Sequence, residues 1–307
     1  MMGGIIAICG ALSYSELATL YPKSGGEYHL LGIIIHPSLG FAAGIVSSTV
    51  GFAAPSVLAS IALGNYLSPL MPSINPLLIT LCAITSIHLL HMVNIRWGII
   101  FQDTFTLIKV GLIIIFIIFG AFVQRPEIIS VFPIDGDIKV LFSPEFAVSL
   151  IWVSYAYTGW NSSIYVAGEI KNPKLNISKS MILATLLVTT LYLVLNYIFL
   201  FTTPIELMKG KVEIGYIAGV QIFGHFGGKI MSLGISIMLL STLSSYIYIG
   251  PRIMHAMGED HKMLRNLSTK NIDGIPIKAF VVQFIISITL IFTSTFEQVL
   301  LYAGISL

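Results

Sequence analysis

Ten consecutive residues, Ser154-Tyr155-Ala156-Tyr157-Thr158-Gly159-Trp160-Asn161-Ser162-Ser163, interrupt an otherwise apolar stretch of the chain. Most carry a hydroxyl or an amide, and Gly159 lets a backbone approach closely. A continuous lipid-facing helix gains nothing from that composition. A helix that breaks there frees N–H and C=O groups and presents two half-helix dipoles, which together can hold a zwitterion. The other reading is that these polar groups only bond packed helices to one another. Lys109 poses a similar choice at the start of the apolar run from Val110 to Val123. Either its ammonium snorkels to the nearer membrane surface, or it stands in for a bound cation, braces a neighbouring helix and can exchange a proton. Ser241-Thr242-Leu243-Ser244-Ser245 is a third cluster. Hydroxyls at helical spacing ligate cations or amines, and they also glue membrane helices.

Other reactive side chains form no constellation. His88 and His91 are spaced i, i+3 with no carboxylate or cysteine beside them, so no metal site is expected. Cys9 and Cys82 sit in apolar runs without ligand spacing and read as small core residues. Glu16 and Glu27 flank the turn Tyr21-Pro22-Lys23-Ser24-Gly25-Gly26 and read as a charged loop. No phosphate-binding, nucleophile-elbow, zinc-protease or calcium-loop pattern is present. A membrane-embedded enzyme would need His and carboxylates at the midplane, and the spans hold almost none. The expectation is no catalytic residue, no cofactor and no enzyme.

The elements that position these residues follow from composition. Of 307 residues, 56% are hydrophobic and 10% charged, against roughly 25% charged in soluble domains. Such a chain cannot coat itself with a solvated surface, which excludes a soluble enzyme and a nucleic-acid binder. The apolar runs are long and continuous, unlike the ~10-residue alternating strands of a membrane barrel. The expectation is an all-α polytopic protein with one transmembrane domain over 1–307. Spans are expected near 3–20, 39–67, 75–93, 104–123, 146–169, 180–203, 229–254 and 277–295, with a ninth from 296. Pro55 predicts a kink, and 215–226 reads as an interfacial helix.

Ten basic residues fall in one set of loops: Lys23, Arg96, Lys171, Lys174, Lys179, Arg252, Lys262, Arg265, Lys270 and Lys278. Five fall in the other, Arg125, Lys139, Lys209, Lys211 and Lys229. The positive-inside rule places the larger set in the cytoplasm and Met1 outside. Nothing precedes the first span to carry that terminus across, and the chain stops inside the ninth span at Leu307. A fragment of a longer bundle is expected; the alternative is a complete protein with its N-terminus outside.

Several strings carry a family resemblance. Gly10-Ala11-Leu12-Ser13-Tyr14-Ser15-Glu16-Leu17 with Tyr21-Pro22-Lys23-Ser24-Gly25-Gly26-Glu27-Tyr28 resembles the second helix and first cytoplasmic loop of amino acid permeases. Gln102-Asp103, Phe105-Thr106 and Lys109 resemble the fifth helix. Tyr155-Ala156-Tyr157-Thr158-Gly159-Trp160-Asn161 with Glu169-Ile170-Lys171-Asn172-Pro173 is similar to the sixth and its following loop. Gly250-Pro251-Arg252 and Ala256-Met257-Gly258 resemble the end of the eighth. The family is the amino acid–polyamine–organocation (APC) superfamily, nearest its L-type amino acid transporter branch.

The resemblance implies a five-plus-five inverted repeat with a broken sixth helix, truncated here at both ends. It places Tyr155, Ala156, Tyr157 and Thr158 in the unwound substrate-binding part, with Gly159 in the same segment. Tyr155 would be an aromatic gate and Asn161 the polar residue after the break. Lys109 would fill a cation position, and Thr242 would line the site from the eighth helix. The implied function is amino acid transport by alternating access across the plasma membrane, as sodium-independent exchange or coupled to protons. No acidic group in the helix-six pocket awaits a cationic side chain, so neutral substrates are favoured. Thr158, bulkier than glycine, favours small ones. The sequence is silent on a protein partner. Helix one has no counterpart, helix ten is cut short, Ser178 replaces a usual proline, and His261-Lys262-Met263 departs from the usual loop. The implied site is half built, and a non-transporting remnant or a sensor is the alternative function.

Overall fold

In the computed structural model of the protein, residues 1–68, 70–93, 95–123, 126–129, 137–211 and 213–305 are described. Arg125 and Leu307, both used above, lie outside the described residues. Among those described the regular structure is all helical, and six helices are long and apolar enough to cross a membrane. The protein is an integral, multi-pass membrane protein.

Helix α1 (Met2–Leu20) buries Gly3, Gly4, Ala7, Ala11, Ser15 and Ala18. This stripe of small side chains lets it lie close against α9 (Pro173–Thr202). Gly25 and Gly26, both at positive φ, turn the chain into the short loop helix α2 (Glu27–Ile34). A Cβ on Gly26 would overlap the Tyr165 ring, so glycine is required there by space as well as by φ. Helices α3 (Pro37–Val46) and α4 (Ala53–Leu67) form one span, joined by a π-helical turn at Ser47–Gly51. The kink expected at Pro55 is therefore expressed just upstream. Proline lacks the N–H that would continue the ladder, and the preceding turn widens to absorb the break.

Helix α5 (Pro76–Val93) is followed by α6 (Ile95–Ala121), which begins well before the predicted residue 104. Arg96, Gln102 and Asp103 depress hydropathy there, but backbone hydrogen bonding does not stop at polar side chains. For the same reason α9 starts at Pro173 rather than at 180. After α7 (Asp137–Leu141), α8 (Pro144–Ala156) is capped by Ser143, whose Oγ accepts from the Phe146 N–H at 3.2 Å. It ends at Ala156, inside the span expected over 146–169, and a 3₁₀ helix resumes over Ser162–Glu169. Beyond α10 (Ile205–Met208) comes α11 (Ile214–Asp260), 47 residues long and broken at Gly224 (φ 74°, ψ −177°). That break separates the expected interfacial arm from its span. Helices α12 (Ile277–Thr293) and α13 (Phe296–Ile305) follow.

Helices α4 and α11 form the centre. Eleven of the fifteen α4 residues are buried, most of them Ala, Ser or Gly. One apolar cluster joins α4, α5, α11, α12 and α13 through Val57, Ile84, Leu243, Ile247, Phe280 and Val299. Another joins α1, α2, the 3₁₀ helix, α9 and α11. Cys9 and Cys82 correct an expectation: both are exposed on the outside of the bundle rather than packed in its core. Lipid is as apolar as the interior, so an apolar run does not say which face turns inward.

Candidate functional site

Helix α6 presents Gln102, Thr106 and Lys109 at i, i+4 and i+7, one face of a helix. All three reach the hydroxyl cluster of α11. Gln102 Nε2 donates to Ser245 Oγ, and Thr106 Oγ1 pairs with Ser241 Oγ at 3.2 Å. Lys109 Nζ donates to Thr242 Oγ1 at 2.8 Å. Lys109 is thirteen residues from Arg96 and twelve from Ala121, the limits of that span. At 1.5 Å per residue it stands about 20 Å along the helix from Arg96, and its ammonium is bonded to a neighbouring helix.

One turn further along α11, the Tyr246 hydroxyl meets Thr158 Oγ1 at 3.3 Å. Thr158 lies in the break between α8 and the 3₁₀ helix. The break begins after Ala156, so Tyr155 and Ala156, expected in the unwound part, still belong to α8. Tyr157 through Asn161 form the turn, with Gly159 at φ 93°. Two freed carbonyls are used internally: Ser154 O accepts from the Tyr157 N–H at 3.1 Å, and Tyr155 O accepts from Thr158 Oγ1 at 2.8 Å. Helix α11 thus carries two separate polar contacts one turn apart, Thr242 with Lys109 of α6 and Tyr246 with Thr158 of the break.

The remaining expected site residues diverge. Tyr155 packs beside the main apolar cluster, and buried Tyr157 meets Tyr192 of α9 edge-on at 5.3 Å. Ala156 and Gly159 are exposed. Asn161 turns toward the loop helix, where its Nδ2 donates to Glu27 Oε1 while the Tyr165 hydroxyl donates to Glu27 Oε2. Glu27 was read from sequence as part of a charged loop, but its carboxylate is enclosed by the segment after the break. Burial pushes that carboxyl above its ordinary range, against the opposing pull of its bonds to Tyr165 and Asn161. Sequence reading also missed Tyr246, and it named Gln102 and Thr106 in the fifth-helix resemblance without giving them a place in the site. The i, i+4, i+7 spacing that ends at Lys109 was the available signal for the last two.

The histidines serve packing. His91 Nε2 pairs with Ser244 Oγ at 2.8 Å, and His88 Nδ1 with its own helix at Ile84 O, also 2.8 Å. Of the α11 cluster, then, Ser241, Ser244 and Ser245 bond helix to helix, and Thr242 holds the lysine. Loops assigned to one membrane face do meet. Lys23 Nζ reaches Asp260 at 3.2 Å, Arg252 Nε reaches Glu169 at 2.6 Å, and the Gly168 N–H donates to Ser24 Oγ at 2.8 Å.

A profile described as amino acid permease matches residues 1–305. Similar proteins include the serine/threonine exchanger SteT of Bacillus subtilis (strain 168), 26% identical over 84% of this chain and 59% of its own length. The b(0,+)-type amino acid transporter 1 of Mus musculus is 25% identical over 97% of this chain and 63% of its own. The large neutral amino acids transporter small subunit 2 of Homo sapiens is 25% identical over 98% of this chain and 58% of its own. The chain therefore spans about three-fifths of the length of these relatives. The whole-chain profile match agrees with the broken span and the apolar bundle described above: the chain belongs to the amino acid permease family, a family of transporters and not of enzymes.

Proposed function

We propose that the protein acts in amino acid transport across the plasma membrane, the α8 break forming part of the substrate site and moving by alternating access. The observation that carries this reading is the Lys109–Thr242 bond, which puts a fixed cation midway along α6 and one turn of α11 from the contact between Tyr246 and the break. An ammonium there takes the electrostatic role of a bound metal cation, so transport runs without sodium, by exchange or with protons. The C-terminal end of α8 turns the negative pole of its dipole toward a substrate ammonium, and the start of the 3₁₀ helix turns its positive pole toward a carboxylate. Thr158 narrows the pocket toward small neutral side chains. The names of the relatives, a serine/threonine exchanger and a large neutral amino acids transporter among them, support neutral substrates without deciding their size.

A competition panel tests it. In proteoliposomes, small neutral amino acids are expected to block uptake of labelled serine, while cationic and anionic ones leave it unchanged. Equal competition by all classes would remove the neutral preference. Absence of uptake with any amino acid would favour a non-transporting remnant or a sensor.

A further inference from the structure

Glu27 has no part in the contacts that Lys109 and Tyr246 make, yet it is tied to the segment that follows the break. Its half-buried carboxylate accepts from Asn161, the last residue of the break, and from buried Tyr165 in the 3₁₀ helix that follows. Gly26 beside it is held against the Tyr165 ring, and the Gly26 N–H donates to Ile164 O at 3.4 Å. The loop helix and the segment after the break are therefore stitched together around one carboxylate.

Among the described residues, none supplies a cation to that carboxylate. From α1 it is faced by Tyr14, from the segment by Tyr165, and the π-helical turn brings Ser47 to the Tyr165 hydroxyl. Phe52, which precedes α4, packs edge-on to Tyr165 at 4.9 Å and also meets Tyr246 of α11. Nearby charges are engaged elsewhere. Lys23 pairs with Asp260 and Arg252 with Glu169, while His29 and Asp260 line a separate cavity of about 220 Å³ with Tyr28 and His261. A carboxylate in such a place is eased by protonation or by release into water.

We propose that Glu27 is a proton-operated latch: enclosed and protonated, it holds the 161–169 segment against the loop helix, and its ionisation frees that segment toward the cytoplasm. The proton passes from the carboxyl oxygen to cytoplasmic water on release and returns from the same side on closure, so no net proton crosses the membrane. Glu27 is a positioning residue that acts through Asn161 and Tyr165. The sign follows from linkage. The enclosed carboxyl binds its proton at higher pH than a solvated one, so acid favours the latched state and rising pH favours release. The stitching of Glu27 to Asn161 and Tyr165 does not depend on a substrate; only the latch's effect on uptake rests on the proposed function.

Trp160 reports on the segment directly, being next to Asn161 and edge-on to Tyr14 at 5.0 Å. In the full chain with Trp97→Phe and Trp152→Phe, Trp160 emission is measured from about pH 5 to about pH 9, a range that brackets a raised carboxyl. We expect one titration step. Glu27→Gln, close in shape to the protonated acid, should lose it and stay in the acid-side state. Tyr165→Phe, which removes a bond favouring the charged form, should move its midpoint to higher pH. A flat parent profile, an unchanged step in Glu27→Gln, or an acid-going midpoint in Tyr165→Phe would each overturn the latch. Uptake should rise with cytoplasmic pH in the parent and lose that dependence in Glu27→Gln; uptake that keeps the parent's pH profile in Glu27→Gln would also count against it. A Trp160 titration that depends on Glu27 in a chain showing no uptake would leave the latch standing and sink the transport reading instead.

Discussion

Lys109 and Thr242 are 133 residues apart in sequence and 2.8 Å apart in space. Each was legible alone, as a polar group that is costly in an apolar span. Their pairing was not, because one sequence does not say which helix faces which. Tyr246 was missed for a related reason: its ring reads as apolar, and only its hydroxyl joins the site. Asn161 was legible as a polar residue after the break, but its partner Glu27 looked like ordinary loop charge beside a glycine turn. The hydroxyl of Thr242 is the testable atom. Thr242→Val keeps the shape and leaves the ammonium without that acceptor, which costs about 1–3 kcal/mol for a bond to a charged group. Thermal unfolding in detergent should show that loss, and uptake should fall at least tenfold. Unchanged uptake and stability in Thr242→Val would mean the bond does nothing.

The helices themselves were largely legible, since 18 or more apolar residues leave few other solutions. Their ends were not. Hydropathy marks where side chains turn polar, whereas α6 and α9 start where the backbone can first turn helical, before Gln102 and at Pro173. The break in α8 was legible from its composition, though it starts at Tyr157 rather than at Tyr155. The exposed cysteines show the limit of periodicity in lipid, where the inside and the outside of the bundle are equally apolar. The bend of α11 offers a clean test at this scale. Gly224 has a backbone conformation that is essentially closed to other residues, with open space where a Cβ would stand. Gly224→Ala should therefore cost about 1–3 kcal/mol through backbone strain alone. A melting temperature equal to that of the parent would show that the bend does not need glycine.

Across the whole molecule, two ion pairs join segments that carry basic residues of the larger set, and they are not equivalent. Lys23 and Asp260 are 50% and 39% exposed, so Lys23→Ala should change stability by less than about 1 kcal/mol. The Arg252 side chain is only 8% exposed against Glu169, and it also lies over the Tyr248 ring at 3.5 Å. Glu169→Ala leaves that guanidinium without its carboxylate and should lower the melting temperature clearly more than Lys23→Ala. Equal melting temperatures would contradict the ranking. The Arg252–Glu169 pair, with Glu27, ties the segment after the break to α11 and to the loop helix, contacts that must loosen for the alternating access of the proposed function. What drives that movement in the proposed function is substrate bound beside a fixed cation. The most direct test is uptake of a labelled small neutral amino acid into sodium-free proteoliposomes, with the parent chain and Lys109→Ala side by side. Saturable sodium-free uptake by the parent and none by Lys109→Ala is the predicted result; no uptake by the parent, or sodium-dependent uptake that survives in Lys109→Ala, would contradict it.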